Sequence, residues 1–212
     1  MTIELVIFDF DGTIADTHST FVEIINQLSE EFGYKPVTDA EVAQMRGLSS
    51  REIVQRSEIS IFKIPFLLRR AKEELNQKIA NILPISGIEI SLNALIAQEI
   101  KLGILTSNIE KNVSAFLKEN NLENIFEFIY SGNTIFGKDR ILRKLLQEYN
   151  IDPNLVVYVG DETRDINAAK KSGVKAIAVT WGFNSQEILQ QHQPDLLVDC
   201  PQSLAKAIAS LF

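Results

Sequence analysis

Asp9 and Asp11 stand one residue apart at the end of an apolar run, Ile3 to Phe8, with Gly12 and Thr13 directly after them. Two carboxylates at the end of a buried segment repel each other and lose hydration, so they need a cation, hydrogen-bond donors or a shared proton. A divalent metal would supply the cation. On an extended backbone both acids point to one side while Phe10 points away into packing, so both can face one reacting centre. Gly12 permits the sharp change of direction that turns backbone N–H groups toward an anion. A solvated Asp-rich turn explains an isolated Asp-x-Asp-Gly equally well, so the rest of the chain has to decide.

Two further segments end in the same manner. Thr106-Ser107-Asn108 closes the apolar run Lys101 to Thr106 and offers a hydroxyl and free backbone N–H groups just before a helix, where phosphate oxygens bind. Gly160-Asp161-Glu162-Thr163-Arg164-Asp165 closes the run Leu155 to Val159 with one carboxylate and adds a second four residues later. Complementing a helix dipole would account for Asp165 but not for Asp161. In an open parallel sheet, ligands sit outside the carboxyl ends of the strands, where all three segments would end.

The elements that position them follow from periodicity. Ile3 to Phe8 reads as a buried parallel strand, and the next core strand appears only at Lys101, so the intervening chain must hold structure of its own. Phe21, Ile24, Ile25, Leu28 and Phe32 predict a helix from Thr17 to Phe32 that stops at Gly33. Further helices are predicted over Asp39 to Met45, after Ser49 or Ser50, and over Phe66 to Ile82 before Pro84. These four form a separate helical cap, residues 14–83. From Gly87 onward helix and strand alternate, with strands at Phe126 to Tyr130, Ala176 to Thr180 and Leu196 to Val198 as well, which indicates parallel α/β units. The expected fold is therefore α/β, a parallel-sheet core of residues 1–13 and 84–212 interrupted by the cap.

Composition narrows the class. The chain has 212 residues, 45% hydrophobic and 23% charged, as in an ordinary globular protein. No apolar run approaches the roughly 20 residues of a membrane helix, and the N-terminal run lacks a basic lead, so a cytoplasmic protein is expected. A net charge of −7 argues against a nucleic-acid partner. The single cysteine, Cys200, excludes an intrachain disulfide and reads as packing. His18 could face the cleft, His192 reads as surface, and Trp181 as packing beside it.

In order, Asp9-Phe10-Asp11-Gly12-Thr13, Thr106, Lys138 and Gly160-Asp161 with Asp165 resemble the four motifs of the haloacid dehalogenase-like hydrolase superfamily. The helical insertion after the first motif resembles its capped phosphatase branch, which includes phosphoglycolate phosphatases and β-phosphoglucomutases. The resemblance implies a Rossmann-like core of that type with an α-helical cap. It implies that Asp9 attacks phosphorus to form an aspartyl-phosphate and that Asp11 protonates the leaving oxygen and then activates water. Mg²⁺ would be held by the Asp9 carboxylate, the Asp11 backbone carbonyl, Asp161 and Asp165, an oxygen-only shell suited to a hard ion. Thr106, Ser107, Asn108 and Lys138 would hold the phosphate. The family often has proline after the motif lysine, whereas Asp139 follows Lys138, which leaves Arg140 as a fallback. Arg46-Gly47-Leu48 resembles the cap loop that lowers onto substrate, and Arg46 and Arg51 are candidate contacts for a second anionic group. An acid at position 11 favours phosphoester chemistry, because dehalogenases of the superfamily lack one and its phosphonatases carry alanine. The expected function is a Mg²⁺-dependent phosphatase acting on a small phosphorylated metabolite. A sugar phosphomutase and a non-catalytic binding protein of the same fold are the alternatives.

Overall fold

Six apolar segments form the sheet of the computed structural model, which describes residues 3–57, 59–132 and 137–211. In chain order, β1 (Leu5–Phe8) is followed by α1 (His18–Gln27), α2 (Ser29–Phe32), α3 (Asp39–Met45), α4 (Ser50–Arg56) and α5 (Ile64–Lys78). Helix and strand then alternate through α6 (Ile88–Ile96), β2 (Lys101–Thr106), α7 (Glu110–Glu119), β3 (Phe128–Ser131), α8 (Lys138–Glu148) and β4 (Val156–Gly160). The chain continues with α9 (Thr163–Lys171), β5 (Lys175–Val179), α10 (Gln186–Gln191), β6 (Leu196–Val198) and α11 (Leu204–Ala209).

All pairings are parallel, in the order β3-β2-β1-β4-β5-β6, so β1 lies between β2 and β4 with Phe8 level with Ile104 and Val159. The strand order reverses between β1 and β4, and a crevice outside the carboxyl ends of the strands is expected there. Alternation along β1 divides the core in two. Val6 and Phe8 pack with Leu92, Leu95, Val113 and Phe116 of α6 and α7, whereas Leu5 and Ile7 pack with Leu142, Leu145 and Ile166 of α8 and α9. Phe10 continues the first of these clusters, its ring meeting Phe116 edge-on at 5.0 Å, and this fixes the acids on either side of it.

The helices between β1 and β2 differ in detail from the periodic reading. The segment expected as one helix from Thr17 is divided at Leu28 into α1 and α2, and α2 ends on left-handed Gly33, as expected. α5 starts at Ile64, because Pro65 lies in its first turn, where a missing N–H costs nothing. Thr38 and Ser49 each close a capping box, with Glu41 and Glu52 respectively. Where the chain leaves and rejoins the sheet the two crossings are tied together, Asp16 N–H donating to Leu83 O (3.0 Å) and Ile85 N–H to Ile14 O (2.8 Å). Cys200, expected to pack, is exposed on the turn before α11. Among the described residues no helix is long and apolar enough to cross a membrane.

Candidate active site

The three carboxyl-terminal strand ends meet as the sequence expects. Asp9 follows β1 directly, its N–H donating to Val159 O of β4 (2.8 Å), and its side chain is 2% exposed. One carboxylate oxygen accepts from Phe10 N–H (2.8 Å) and the other lies 2.9 Å from Lys138 Nζ. Lys138 opens α8, is itself buried, and also reaches Asp165 Oδ1 at 2.5 Å, with the Tyr158 ring 5.2 Å from its ammonium. Burial works to lower the lysine pKa, but Asp165 and Asp9 overcome it and raise it. Arg140, the fallback, is exposed on α8. Lys138, and not Arg140, meets Asp9 and Asp165.

Asp161 and Asp165 are both buried at the β4–α9 turn. Asp161 accepts from the Thr13 hydroxyl (2.7 Å) and from Phe183 N–H (2.7 Å), and Asp165 accepts from Glu162 N–H (3.0 Å). Burial, then Glu162 and Asp9, push the Asp161 pKa well above the usual carboxylate range. Burial also raises Asp165, to about 6, although Lys138 pulls the other way. Five carboxyls, Asp9, Asp11, Asp161, Glu162 and Asp165, gather here beside Lys138 and Arg164, so ionising all of them would leave negative charge unmatched. Carboxylate oxygens of Asp9, Glu162 and Asp165 lie within 4.8 Å of one another. An all-oxygen donor set with unmatched charge fits a hard divalent cation such as Mg²⁺. Glu162 was not singled out in the sequence, where it read as part of the turn. It is held by the Ser50 hydroxyl (3.0 Å) of α4 and by Arg164.

Gly12 is required where it stands. Its φ is +75°, and a Cβ there would come within 2.5 Å of Asp161 Oδ2 and 2.6 Å of the Phe183 ring. The turn brings the Asp11 carboxyl to the loop that follows β2. There Asn108 Nδ2 donates to both Asp11 oxygens at 3.1 Å. Burial, followed by repulsion from Asp9, raises the Asp11 pKa to about 7, with the Asn108 amide opposing the shift. A carboxyl near neutrality can both give and take a proton at ordinary pH.

Thr106 is buried at the end of β2 and its hydroxyl oxygen accepts from Asn108 N–H (2.9 Å). That N–H, expected to be free for a phosphate oxygen, is therefore occupied within the turn, and the Asn108 side chain faces Asp11 instead. Ser107 presents its carbonyl to Lys72 Nζ from α5. Arg46 ends α3, where its carbonyl accepts from Ser185 N–H (2.7 Å) and from the Asn184 amide (3.3 Å). Arg51 is exposed on α4. His18 packs against Phe183 with its ring tilted by 58° and ring centroids 5.1 Å apart, and burial, then Arg46, lowers its pKa. Trp181 Nε1–H donates to Thr13 O (3.2 Å), which places the indole against the first loop, and His192 is the half-buried C-cap of α10, facing Asn167. Lys72, Asn76, Asn112 and Arg164 carried no sequence signal, since each reads as an ordinary polar residue on an amphipathic helix.

Comparison with known proteins adds to this geometry. Residues 6–179 match the family model described as haloacid dehalogenase-like hydrolase. The chain is 38% identical over 209 residues to a phosphoglycolate phosphatase of Synechococcus elongatus, covering 99% of both chains. It is 24% identical over 208 residues to a phosphoglycolate phosphatase of Aquifex aeolicus, covering 96% of both. Among solved structures it resembles a predicted phosphatase from Clostridium acetobutylicum with a TM-score of 0.86 at 20% identity, covering 99% of this chain and all of that one, which speaks to the fold alone.

Proposed function

The chain belongs to the haloacid dehalogenase-like hydrolases, and from that premise we propose that it is a Mg²⁺-dependent phosphatase that cleaves a small phosphorylated metabolite through an aspartyl-phosphate on Asp9. The observation that carries this reading is the pairing of two unlike carboxyls. Asp9 lies 2.9 Å from Lys138 Nζ, whereas Asp11, two residues away, meets the Asn108 amide and has its pKa raised by burial to about 7. The name of the 38%-identical relative supports phosphoglycolate as the first substrate to try, with sugar phosphates next. A substrate of that kind supports reading the protein as a cytoplasmic enzyme.

In this reading an Asp9 carboxylate oxygen attacks phosphorus while Asp11 gives its proton to the departing oxygen. The water that cleaves the acyl-phosphate then loses a proton to Asp11, restoring the acid. Lys138 neutralises charge on the transferring group, and the Thr106 hydroxyl and Ser107 hold its oxygens while Asn108, whose donors are taken by Thr106 and Asp11, orients the Asp11 carboxyl. Mg²⁺ would be held by Asp9, the Asp11 carbonyl, Asp161 and Asp165, whose lone pairs not taken by Thr13, Phe183 N–H and Glu162 N–H remain available. Bound there, it would offset repulsion between the acids and the phosphate dianion. We read residues 14–83 as a cap over this site, with Arg46 on the loop that faces substrate.

The test is release of inorganic phosphate from a panel of phosphorylated metabolites, with and without Mg²⁺, by wild type and Asp9→Asn. Phosphate released by the wild type and lost in the variant supports the reading. Equal rates in both proteins would remove Asp9 as nucleophile, and product that keeps its phosphate would point to a mutase.

A further inference from the structure

An unbroken line of side-chain amides runs from α5 to Asp11. Asn76 Nδ2 donates to Asn112 Oδ1 (2.5 Å), Asn112 Nδ2 donates to Asn108 Oδ1 (2.9 Å) and also to Lys72 O (3.1 Å), and Asn108 Nδ2 donates to both oxygens of Asp11. Asn112 is fully buried at 0% exposure. We infer that Asn112 is a positioning residue for the proton transfer: it joins α5 to the amide that aims the Asp11 carboxyl. The inference rests on the proposed role of Asp11 as proton donor.

The direction of the line is fixed by chemistry. Ile109 N–H donates to Asn108 Oδ1 (2.8 Å), so that atom must be the oxygen and the NH₂ group must face Asp11. Asn112 meets two acceptors, Asn108 Oδ1 and the carbonyl of Lys72, so its NH₂ must point there and its oxygen must point at Asn76. Every amide orientation is thus set from a backbone N–H on one side and a backbone carbonyl on the other. Neither Asn108 nor Asn112 can flip without placing oxygen against oxygen or leaving a buried donor unpaired. A second tie, Lys72 Nζ to Ser107 O, holds the same turn of α5 to the same loop. The Asp11 carboxyl is therefore aimed correctly only when α5 is seated on α7. An Asp11 that loses this support still exists, but its proton no longer lies toward the leaving oxygen.

Such a role has a signature that a purely structural tie lacks. A nitrophenolate departs without help, whereas a phenolate departs far more readily with a proton, and well-placed general acids contribute about 10²- to 10⁴-fold. The experiment compares kcat and KM for phenyl phosphate and p-nitrophenyl phosphate at saturating Mg²⁺ in wild type, Asn112→Leu, Asn76→Ala and Asp11→Asn, with Gln77→Ala on the exposed face of α5 as control. We expect Asn112→Leu and Asn76→Ala to lower kcat/KM, which reports the phosphorylation step in which the leaving group departs, about tenfold or more for phenyl phosphate and less than about threefold for p-nitrophenyl phosphate, a fraction of the full general-acid contribution. Gln77→Ala should match wild type. Equal losses of kcat/KM on both substrates would overturn the inference. If Asn112→Leu does not fold, Asn76→Ala, at a partly exposed position, decides by the same criterion. If Asp11→Asn itself loses kcat/KM equally on both substrates, the reading of Asp11 fails first and takes this inference with it.

Discussion

Replacing Lys138 by Met removes a charge and keeps the length of the aliphatic stem, so it isolates what the ammonium does. Lys138 Nζ lies 2.9 Å from Asp9 and 2.5 Å from Asp165, and all three side chains are at most 2% exposed. At an effective dielectric near 20, the gross attraction at 2.9 Å is about 6 kcal/mol for one pair. Most of that is cancelled by desolvation, and removing one member of a buried pair costs about 3 to 5 kcal/mol net. For a chain of this size, each kcal/mol corresponds to about 2 to 4 °C, so Lys138→Met should lower Tm by about 6 to 20 °C in chelator. Mg²⁺ should return part of the loss, because a second cation would then neutralise the same acids. Activity should fall at least about 10²-fold even at saturating Mg²⁺, since charge on the transferring group would lose its fixed partner. Thermal melts in EDTA and across a Mg²⁺ series, with turnover of p-nitrophenyl phosphate beside them, measure both effects. A loss below about 1 kcal/mol in EDTA, the scale of a surface pair, would refute the claim that this ion pair is a buried, uncompensated one. So would an equal effect from Arg140→Ala, which should instead lie within about 0.5 kcal/mol of wild type.

Other outcomes follow from the same geometry. In chelator-treated protein, folding holds the Asp11 pKa at about 7, above the 3.8 of a free aspartate, so the favourable contribution is complete below about pH 4 and is lost as pH rises through 7. At about 1.4 kcal/mol per unit the fall amounts to at most about 4 kcal/mol, and Asp11→Asn should flatten it in urea melts taken between pH 4 and 8. Gly12→Ala places a methyl at φ +75° against Asp161 and Phe183, and should cost at least about 2 kcal/mol in denaturant unfolding while abolishing turnover. Glu99 adopts φ +60° just past α6, where Ile100 N–H bonds back to Leu95 O, so Glu99→Gly should raise stability by about 1 kcal/mol with activity unchanged. Removal of divalent metal by EDTA should stop phosphate release, and Mg²⁺ should restore it.

The sequence carried the sheet because each strand is a short apolar run between polar turns, and β1 with Asp9 and Asp11 at its end needed no partner to be recognised. Thr106, Asp161 and Asp165 were legible for the same reason, each following a strand directly. Lys138 was placed only by its order among the motifs, since nothing local separates it from Arg140, Arg143 or Lys144. Its burial comes from the sheet beneath it. The break at Leu28 and the early start of α5 at Ile64 lay below the resolution of a helical period. Lys72, Asn76 and Asn112 were invisible for a different reason. Their chemistry depends on which helices face each other, and an amphipathic pattern reports that a face is polar without reporting what it meets. Glu162 and Arg164 were hidden inside a turn whose neighbours, Asp161 and Asp165, drew the attention.

The paired crossings at Asp16 with Leu83 and Ile14 with Ile85 also bear on how the inserted helices can swing. Two peptide segments laced by two rungs form a ribbon, and a ribbon bends easily about an axis in its own plane but resists shearing and edgewise flexure. For residues 14–83 in the proposed role of a cap, this is the mounting of a door on its jamb, with one easy arc of travel, and severing either rung should loosen that travel before it weakens the sheet.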